Sequence, residues 1–219
     1  MKRAMHKEEV KGKVLAVALN LFLKQGYTKT TIKQIIREAD ITNGTLYHFF
    51  HNKEDILMYL VGDVIHVYAD LSDDILKKND HGLRFALEIA LQLFVVIKHK
   101  AIGELYLEAY HSSRISKMIV QKAAQRNKTL FKTIHPEFTD DDFYMRTLAV
   151  KGILQAFIHE CMHDRKTDSQ RKVNDVMEVI LSIFNIPLAD IRATIKKTIK
   201  IIKNQSINVG HSISISQKL

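Results

Sequence analysis

The chain has 219 residues, 46% hydrophobic and 26% charged, which is enough apolar content for a well-buried core and too balanced for a disordered or collagen-like protein. Only 8 glycines and 2 prolines are present, so tight strand turns are scarce and we expect an all-α fold. A β-sandwich, a Rossmann sheet and a glycine-rich phosphate loop are thereby excluded.

The net charge of +9 is concentrated at the two ends of the chain. Residues 1–53 carry ten Lys or Arg against four Asp or Glu, and residues 191–219 carry six basic side chains and no acidic one. Such clusters are typical of nucleic-acid binding, because each cation that neutralises a phosphate releases a counterion. A solvated basic surface without a partner is the alternative.

The cellular setting follows from three features. The single cysteine, Cys161, cannot form an internal disulfide, and the start of the chain does not lead into an apolar export segment. Purely apolar runs such as 93–97 are far shorter than the roughly 20 residues of a membrane span. We therefore expect a soluble, cytoplasmic protein with no membrane segment. A chain of this length also needs no cofactor in order to fold.

Four helices are predicted in the first third of the chain. Apolar residues at spacings of three and four predict a helix over 8–24. Thr31 precedes a short helix over 32–39, and Thr42 precedes another of about two turns; both threonines are good N-caps. Asn52 caps a longer fourth helix.

Two short helices joined by a tight turn, with a long helix on either side, form the helix-turn-helix arrangement. Helices this short are not stable alone, so apolar side chains must anchor them to the first and fourth helices. The side chains expected to do so are Ile35, Leu46, Phe49 and Phe50.

The remaining chain continues as helices, giving about nine or ten in all. They are predicted over 83–98, 102–110, 115–134, 141–163, 172–184 and 188–203. Residues 205–219 have no helical period and are expected to form a flexible tail. We expect a DNA-binding domain over 1–52, a helical body over 53–204, and the tail over 205–219.

The helix-turn-helix segment resembles that of the TetR family of bacterial transcriptional regulators. The resemblance rests mainly on the run GTLYHFF at 44–50, followed by Lys53, and covers about residues 8–60 in detail. Two positions depart from the family pattern: Asp40 stands in the turn where glycine is usual, and Ile36 stands where alanine is usual. Aspartate tolerates the left-handed conformation better than most residues, so we expect the turn to be kept.

The resemblance implies that the second short helix enters the major groove of DNA by its N-terminal end. Small or polar residues there permit close approach, and Asn43 is expected to read a base edge. Each side chain alone has a structural explanation, such as a helix cap or a core aromatic, and only their order together indicates DNA binding. The implied DNA-binding residues are Thr31, Lys33, Thr42, Asn43, Gly44, Thr45, Tyr47, His48 and Lys53.

The resemblance also implies a helical ligand-binding and dimerisation domain. We expect a homodimer that binds double-stranded DNA at an inverted-repeat operator and acts as a repressor, released by an unknown small-molecule effector. Length and apolar content make 141–163 and 172–184 the candidate dimer helices. Candidate pocket residues are Phe94, Glu104, Tyr106, Tyr110, Met118, Phe131 and Phe157, with Glu108 as a second candidate acid, although such residues are more often simple core.

Two other classes remain open. His159, Glu160 and His163 match the His-Glu-x-x-His pattern of zinc hydrolases, in which two histidines on one helix face bind zinc and the glutamate is a general base. No third ligand is identifiable and the segment ends a candidate dimer helix, so the sequence favours a protein that is not an enzyme and holds no metal. The third class is a basic protein that binds anionic surfaces without sequence preference.

Overall fold

The computed structural model describes residues 2–76, 80–163, 170–209 and 213–217. Within these ranges it contains ten helices and one two-stranded hairpin. The helices are α1 (Lys2–Gln25), α2 (Ile32–Glu38), α3 (Asn43–Phe49), α4 (Lys53–Ile75), α5 (His81–Lys98), α6 (Lys100–His111), α7 (Ser113–Phe131), α8 (Asp140–His163), α9 (Gln170–Ser182) and α10 (Leu188–Lys203). The all-α fold and the number of helices are as expected from the sequence.

The starts of α2, α3 and α4 are fixed by the predicted caps. The side chains of Thr31, Thr42 and Asn52 each accept a hydrogen bond from the backbone amide three residues later, at 3.2, 3.1 and 2.8 Å. In the turn between α2 and α3, Asp40 has a φ of 49°, in the left-handed region. The turn therefore keeps its geometry with aspartate in place of glycine.

The inner faces of α2 and α3 anchor these short helices as predicted. Ile35, Leu46 and Phe50 have no exposed surface, and Phe49 is half-buried against them. The same hydrophobic cluster takes in α1 and continues through the first half of α4 into α6 and the start of α7. The core thus has no gap at residue 52, and α4 packs against both parts of the molecule.

A second hydrophobic cluster fills the body of the protein. Helix α5 lies at its centre and packs against α4, α6, α9 and α10. Three aromatic rings pack together where α5, α7 and the segment just after α9 meet. Phe131 stacks on Phe184 with centroids 4.8 Å apart, and Phe85 contacts both rings edge-on.

The end of the chain differs from the expected flexible tail. Strands β1 (Gln205–Val209) and β2 (Ile213–Gln217) pair antiparallel, with Ile207 opposite Ile215. Residues 213–216 alternate Ile and Ser, and this period of two residues is typical of a strand and not of a helix. None of the helices in the described part of the chain is long and apolar enough to cross a bilayer.

Candidate nucleic-acid interface and ligand cavity

The outer face of α3 is exposed, whereas its inner face is buried. Tyr47 is 50% exposed, whereas its neighbour Leu46 is fully buried. The hydroxyl groups of Thr42 and Thr45 lie 2.9 Å apart at the N-terminus of the helix. Along this face the exposed residues are Thr42, Asn43, Gly44, Tyr47 and His48, with Thr45 half-exposed.

Gly44 lies at the second position of α3 and leaves the helix backbone bare. A Cβ built at this position would meet only the Thr42 hydroxyl, at 3.8 Å, which is ordinary contact. Neither packing nor a positive φ requires glycine here. The absence of a side chain therefore leaves room for an external surface to approach the backbone closely.

The start of α2 is also exposed. Thr31 is exposed and forms a capping box with Gln34, and Lys33 is exposed. A further cation comes from α1: the Lys7 ammonium lies 5.8 Å from the centroid of the Phe49 ring in α3. No motif marks Lys7, and the basic surplus of the first 53 residues was the only signal that pointed to it.

Lys53 has contacts that the sequence did not indicate. Its ammonium donates to the carbonyl oxygens of Tyr27 and Thr30, at 2.6 and 2.8 Å, and lies over the Tyr27 ring. Burial lowers the pKa of Lys53, partly offset by the nearby Glu108 carboxylate. Lys53 thus holds the loop before α2 against the start of α4, and its contact with a DNA phosphate stays a prediction.

Three polar contacts join this region to the body. The Thr28 hydroxyl donates to the Glu108 carboxylate at 3.1 Å, and the Ser112 hydroxyl donates to Glu54 at 2.5 Å. Arg114 contacts the Asp55 carboxylate at 2.6 Å. Helices α6 and α7 are therefore tied directly to the helix-turn-helix segment and to the start of α4.

The ion pair with Arg114 affects the protonation of Asp55. Burial alone would raise the pKa of this carboxyl group, but hydrogen bonds from Arg114 and from the His51 amide outweigh it and lower the pKa below its usual value. Asp55 is accordingly held as the anion at the first turn of α4, where the helix dipole also favours negative charge.

The body contains a cavity of about 100 Å³ enclosed by α4, α5, α6, α7 and α8. Two of the predicted pocket residues, Tyr106 and Tyr110, line it. Their hydroxyls are engaged with other lining residues: Tyr106 donates to Tyr68 at 3.3 Å, and Gln92 donates to Tyr110 at 3.0 Å.

The other candidate pocket residues lie elsewhere. Phe131 and Phe157 belong to the buried core, and Phe94 packs at its edge beneath Lys98. Glu104 is exposed near Lys100, and Met118 packs beside the cluster that contains α1. These side chains do not line the cavity, because a helical aromatic pattern identifies an inward face but not which part of the interior stays unfilled.

The cavity has polar residues that sequence reasoning missed: Tyr68, Glu88, Gln92, Arg126 and Lys151. Arg126 binds Glu88 at 2.7 Å and Asp73 at 2.7 Å, and lies between two acidic side chains 38 and 53 positions away. Contacts at such separations have no local sequence signal.

Within the described residues, the His-Glu-x-x-His segment has no further His, Cys, Asp or Glu close enough to complete a metal site. The rings of His159 and His163 stack with centroids 4.2 Å apart, and Nδ1 of His163 donates to the His159 carbonyl oxygen at 2.8 Å. Among the described residues, no three His, Cys, Asp or Glu side chains lie close enough together to hold a metal ion.

Helices α2 and α3, here called the reading head, have an exposed outer face and a buried inner face. This is the architecture of a helix-turn-helix DNA-binding protein. Residues 14–60 match the family model described as bacterial regulatory proteins, tetR family. The regulator HbdR of Aromatoleum sp. (strain CIB) is 41% identical over 61 residues, which are 28% of this chain and 27% of HbdR. QacR of Staphylococcus aureus (strain Mu50) is 36% identical over 52 residues, 24% of this chain and 28% of QacR.

The overall fold is similar to that of a solved structure. The crystal structure of RolR in complex with resorcinol superposes with a TM-score of 0.68, covering 89% of this chain and 96% of RolR at 18% sequence identity. Residues 14–60 are therefore similar to the tetR family of bacterial regulatory proteins, and the chain as a whole shares the fold of RolR. The zinc-hydrolase alternative is not favoured. The match spans only about a quarter of the length of the two curated relatives, HbdR and QacR.

Proposed function

We propose that this protein is a transcriptional repressor that binds an inverted-repeat operator as a homodimer and is released by a small molecule. The observation that carries the proposal is the N-terminus of α3, where exposed Thr42, Asn43 and Gly44 stand above a fully buried Leu46. Such a helix end fits the major groove with its first residues against base edges. A DNA-binding role also implies that the protein works in the cytoplasm.

The surface around α3 supports distinct roles for its residues. Asn43 has the amide needed to hydrogen-bond an adenine edge, and the bare backbone at Gly44 allows the helix to lie close to the bases. Lys7 and Lys33 are exposed cations suited to the phosphate backbone, and Thr31 and Tyr47 offer hydroxyl donors for it. His48 extends the same face.

The exposed face of α8 supports dimerisation. Met145 and Leu148 are 53% and 37% exposed, and the following small residues Ala149, Gly152 and Ala156 continue the same face at helical spacing. Val179 of α9, at 53% exposure, adds to it. Exposed apolar side chains beside a strip of small residues allow two helix pairs to pack closely, as in a four-helix bundle.

The cavity supports a response to a ligand. It is lined by α4, α6 and α7; Glu108 of α6 accepts a hydrogen bond from Thr28 in the loop before α2, and Arg114 of α7 pairs with Asp55 at the start of α4. A ligand that favours one arrangement of α4 and α6 would change the separation of the two reading heads and hence the affinity for the operator.

The experiment is selection of duplexes from a random library by the full-length protein in the presence of excess competitor DNA. We expect an inverted repeat whose half-sites are about one helical turn, roughly 34–36 Å, apart. A library that returns no enriched sequence would instead identify a basic protein that binds anionic surfaces without sequence choice, and the proposal would fail.

A further inference from the structure

The cavity in the body contains two separate groups of polar side chains, and they differ in what they can offer a ligand. One group surrounds Arg126 at the α5–α7 side. The other surrounds Tyr110 and Lys151 at the α6–α8 side. The walls between them are apolar or aromatic and include Phe85 and Leu154.

The Arg126 group is complete without a ligand. The guanidinium donates through Nε and both terminal nitrogens to Glu88, Asp73 and the Ser72 hydroxyl. Asp73 also pairs with Arg84 at 2.9 Å, so two cations and two anions balance. This cluster is part of the structure and has no free charge for an incoming group.

The Tyr110 group is incomplete. The Tyr110 hydroxyl accepts from Gln92, and among the described residues no acceptor takes its own hydrogen. Burial raises the pKa of Tyr110 to about 12, so the phenol remains protonated and able to donate. Tyr68 and Tyr106 pair with each other next to it and supply flat aromatic walls.

Lys151 is the cation of the cavity without a carboxylate partner. Its ammonium donates to the Gln155 amide oxygen at 2.7 Å and lies 5.3 Å from the centroid of the Tyr110 ring. Among the described side chains, no Asp or Glu forms an ion pair with it. An ammonium has three donors, so Lys151 and the Tyr110 hydroxyl together offer unused donors to one small region.

We propose that the cavity binds a small single-ring aromatic acid, with the ring between the tyrosines and the anionic oxygen held by Lys151 and Tyr110. The volume of about 100 Å³ is below the roughly 150 Å³ of an apolar cavity that binds benzene, so a single ring is the largest aromatic group that the cavity would admit. The inference rests on the proposed function, because it identifies the effector class of that regulator.

The test is isothermal titration of the full-length protein, without DNA, by benzoate. Benzamide, a neutral molecule of nearly the same shape, tests the charge, 2-naphthoate tests the size, and octanoate tests the ring. We expect saturable one-to-one binding of benzoate and binding weaker by roughly tenfold or more for the other three, because benzamide lacks the charge, 2-naphthoate exceeds the volume of the cavity and octanoate lacks the ring.

Variants of the full-length protein locate the site. Lys151→Met and Tyr110→Phe should each weaken benzoate binding by about tenfold or more, whereas Lys151→Arg retains most of it. The matched control is Lys117→Met, which removes an exposed lysine of α7 that does not line the cavity. Far-ultraviolet circular dichroism verifies that each variant remains helical.

The outcomes separate this inference from the proposed function. Equal affinity for benzoate and benzamide, tighter binding of octanoate, or full binding by Lys151→Met would overturn the inference even if the protein still selects an operator. Benzoate binding that depends on Lys151 but leaves operator affinity unchanged would uphold the site and contradict its regulatory role.

Discussion

At the scale of single residues, Gly44 offers the clearest separation of DNA binding from folding. Gly44→Ala adds a methyl group that meets no close neighbour in the protein, and alanine is favoured over glycine in helices by up to about 1 kcal/mol. We expect unchanged or slightly higher thermal stability and an operator affinity lower by on the order of tenfold, measured by fluorescence anisotropy.

The matched control for Gly44→Ala is Gly12→Ala in α1. A Cβ at Gly12 likewise meets nothing within 4 Å, but the residue lies away from the face of α3. This variant should bind the operator as tightly as the original protein. Undiminished affinity of Gly44→Ala would mean that α3 does not approach the bases closely.

Two lysines at the candidate DNA interface should respond differently to substitution. Lys53 donates to main-chain carbonyls, so Lys53→Met should lower the melting temperature by a few degrees and weaken DNA binding without changing its salt dependence. Lys33 is exposed, so Lys33→Ala should leave stability unchanged and reduce the slope of log affinity against log salt by about one.

Salt titrations of operator binding, run alongside thermal melts, measure both effects. A slope reduced by about one for Lys53→Met, with an unchanged melting temperature, would show instead that Lys53 contacts a phosphate directly, as the sequence alone suggested.

At the scale of elements, the junction of α4 with α7 depends on the Asp55–Arg114 ion pair. The folded-state pKa of Asp55 is lowered, so its stabilising contribution is present above the unfolded value of about 3.9 and is lost as the pH falls through the folded value. Asp55→Asn should therefore reduce stability at neutral pH, and the difference from the original protein should shrink in acid.

Urea unfolding at about pH 7, 5 and 3.5 measures this difference. The control is Asp63→Asn, an exposed carboxylate on the same helix with no ion pair among the described residues. A stability difference for Asp55→Asn that persists unchanged at the lowest pH would contradict the role of the charge.

The starts of α2, α3 and α4 could be predicted because their signals are local. Thr31, Thr42 and Asn52 each bond to an amide three residues away, and the left-handed turn at Asp40 needs only that residue's own tolerance. The cavity could not be predicted in the same way. Tyr68 and Tyr106 meet from positions 38 apart, and Lys151 reaches Tyr110 from another helix, so only the packing of the whole body defines the site.

At the scale of the whole molecule, the two hydrophobic clusters connect the reading head to the cavity. The cluster of α1–α3 extends into α4 and α6, and Val61 and Tyr106 line both the cavity and a second pocket that includes Leu15 and Leu19 of α1. A movement of α6 at the cavity therefore displaces groups that also support α1. Close-packed protein interiors transmit small displacements because they leave little free volume to absorb them.

The proposed recognition of an operator depends, at this scale, on the proposed dimer, and Gly152 of α8 tests that dimer. Nothing lies within 4 Å of a Cβ at Gly152 in the single chain, so Gly152→Arg should fold normally. Two charged side chains placed in the proposed interface would leave unpaired cations in an apolar contact. We expect light scattering to report a monomer whose operator affinity is lower by tenfold or more, because each reading head then binds its half-site alone. Gln121→Arg, on the exposed face of α7, should remain dimeric and bind fully; a dimeric Gly152→Arg would place the interface elsewhere.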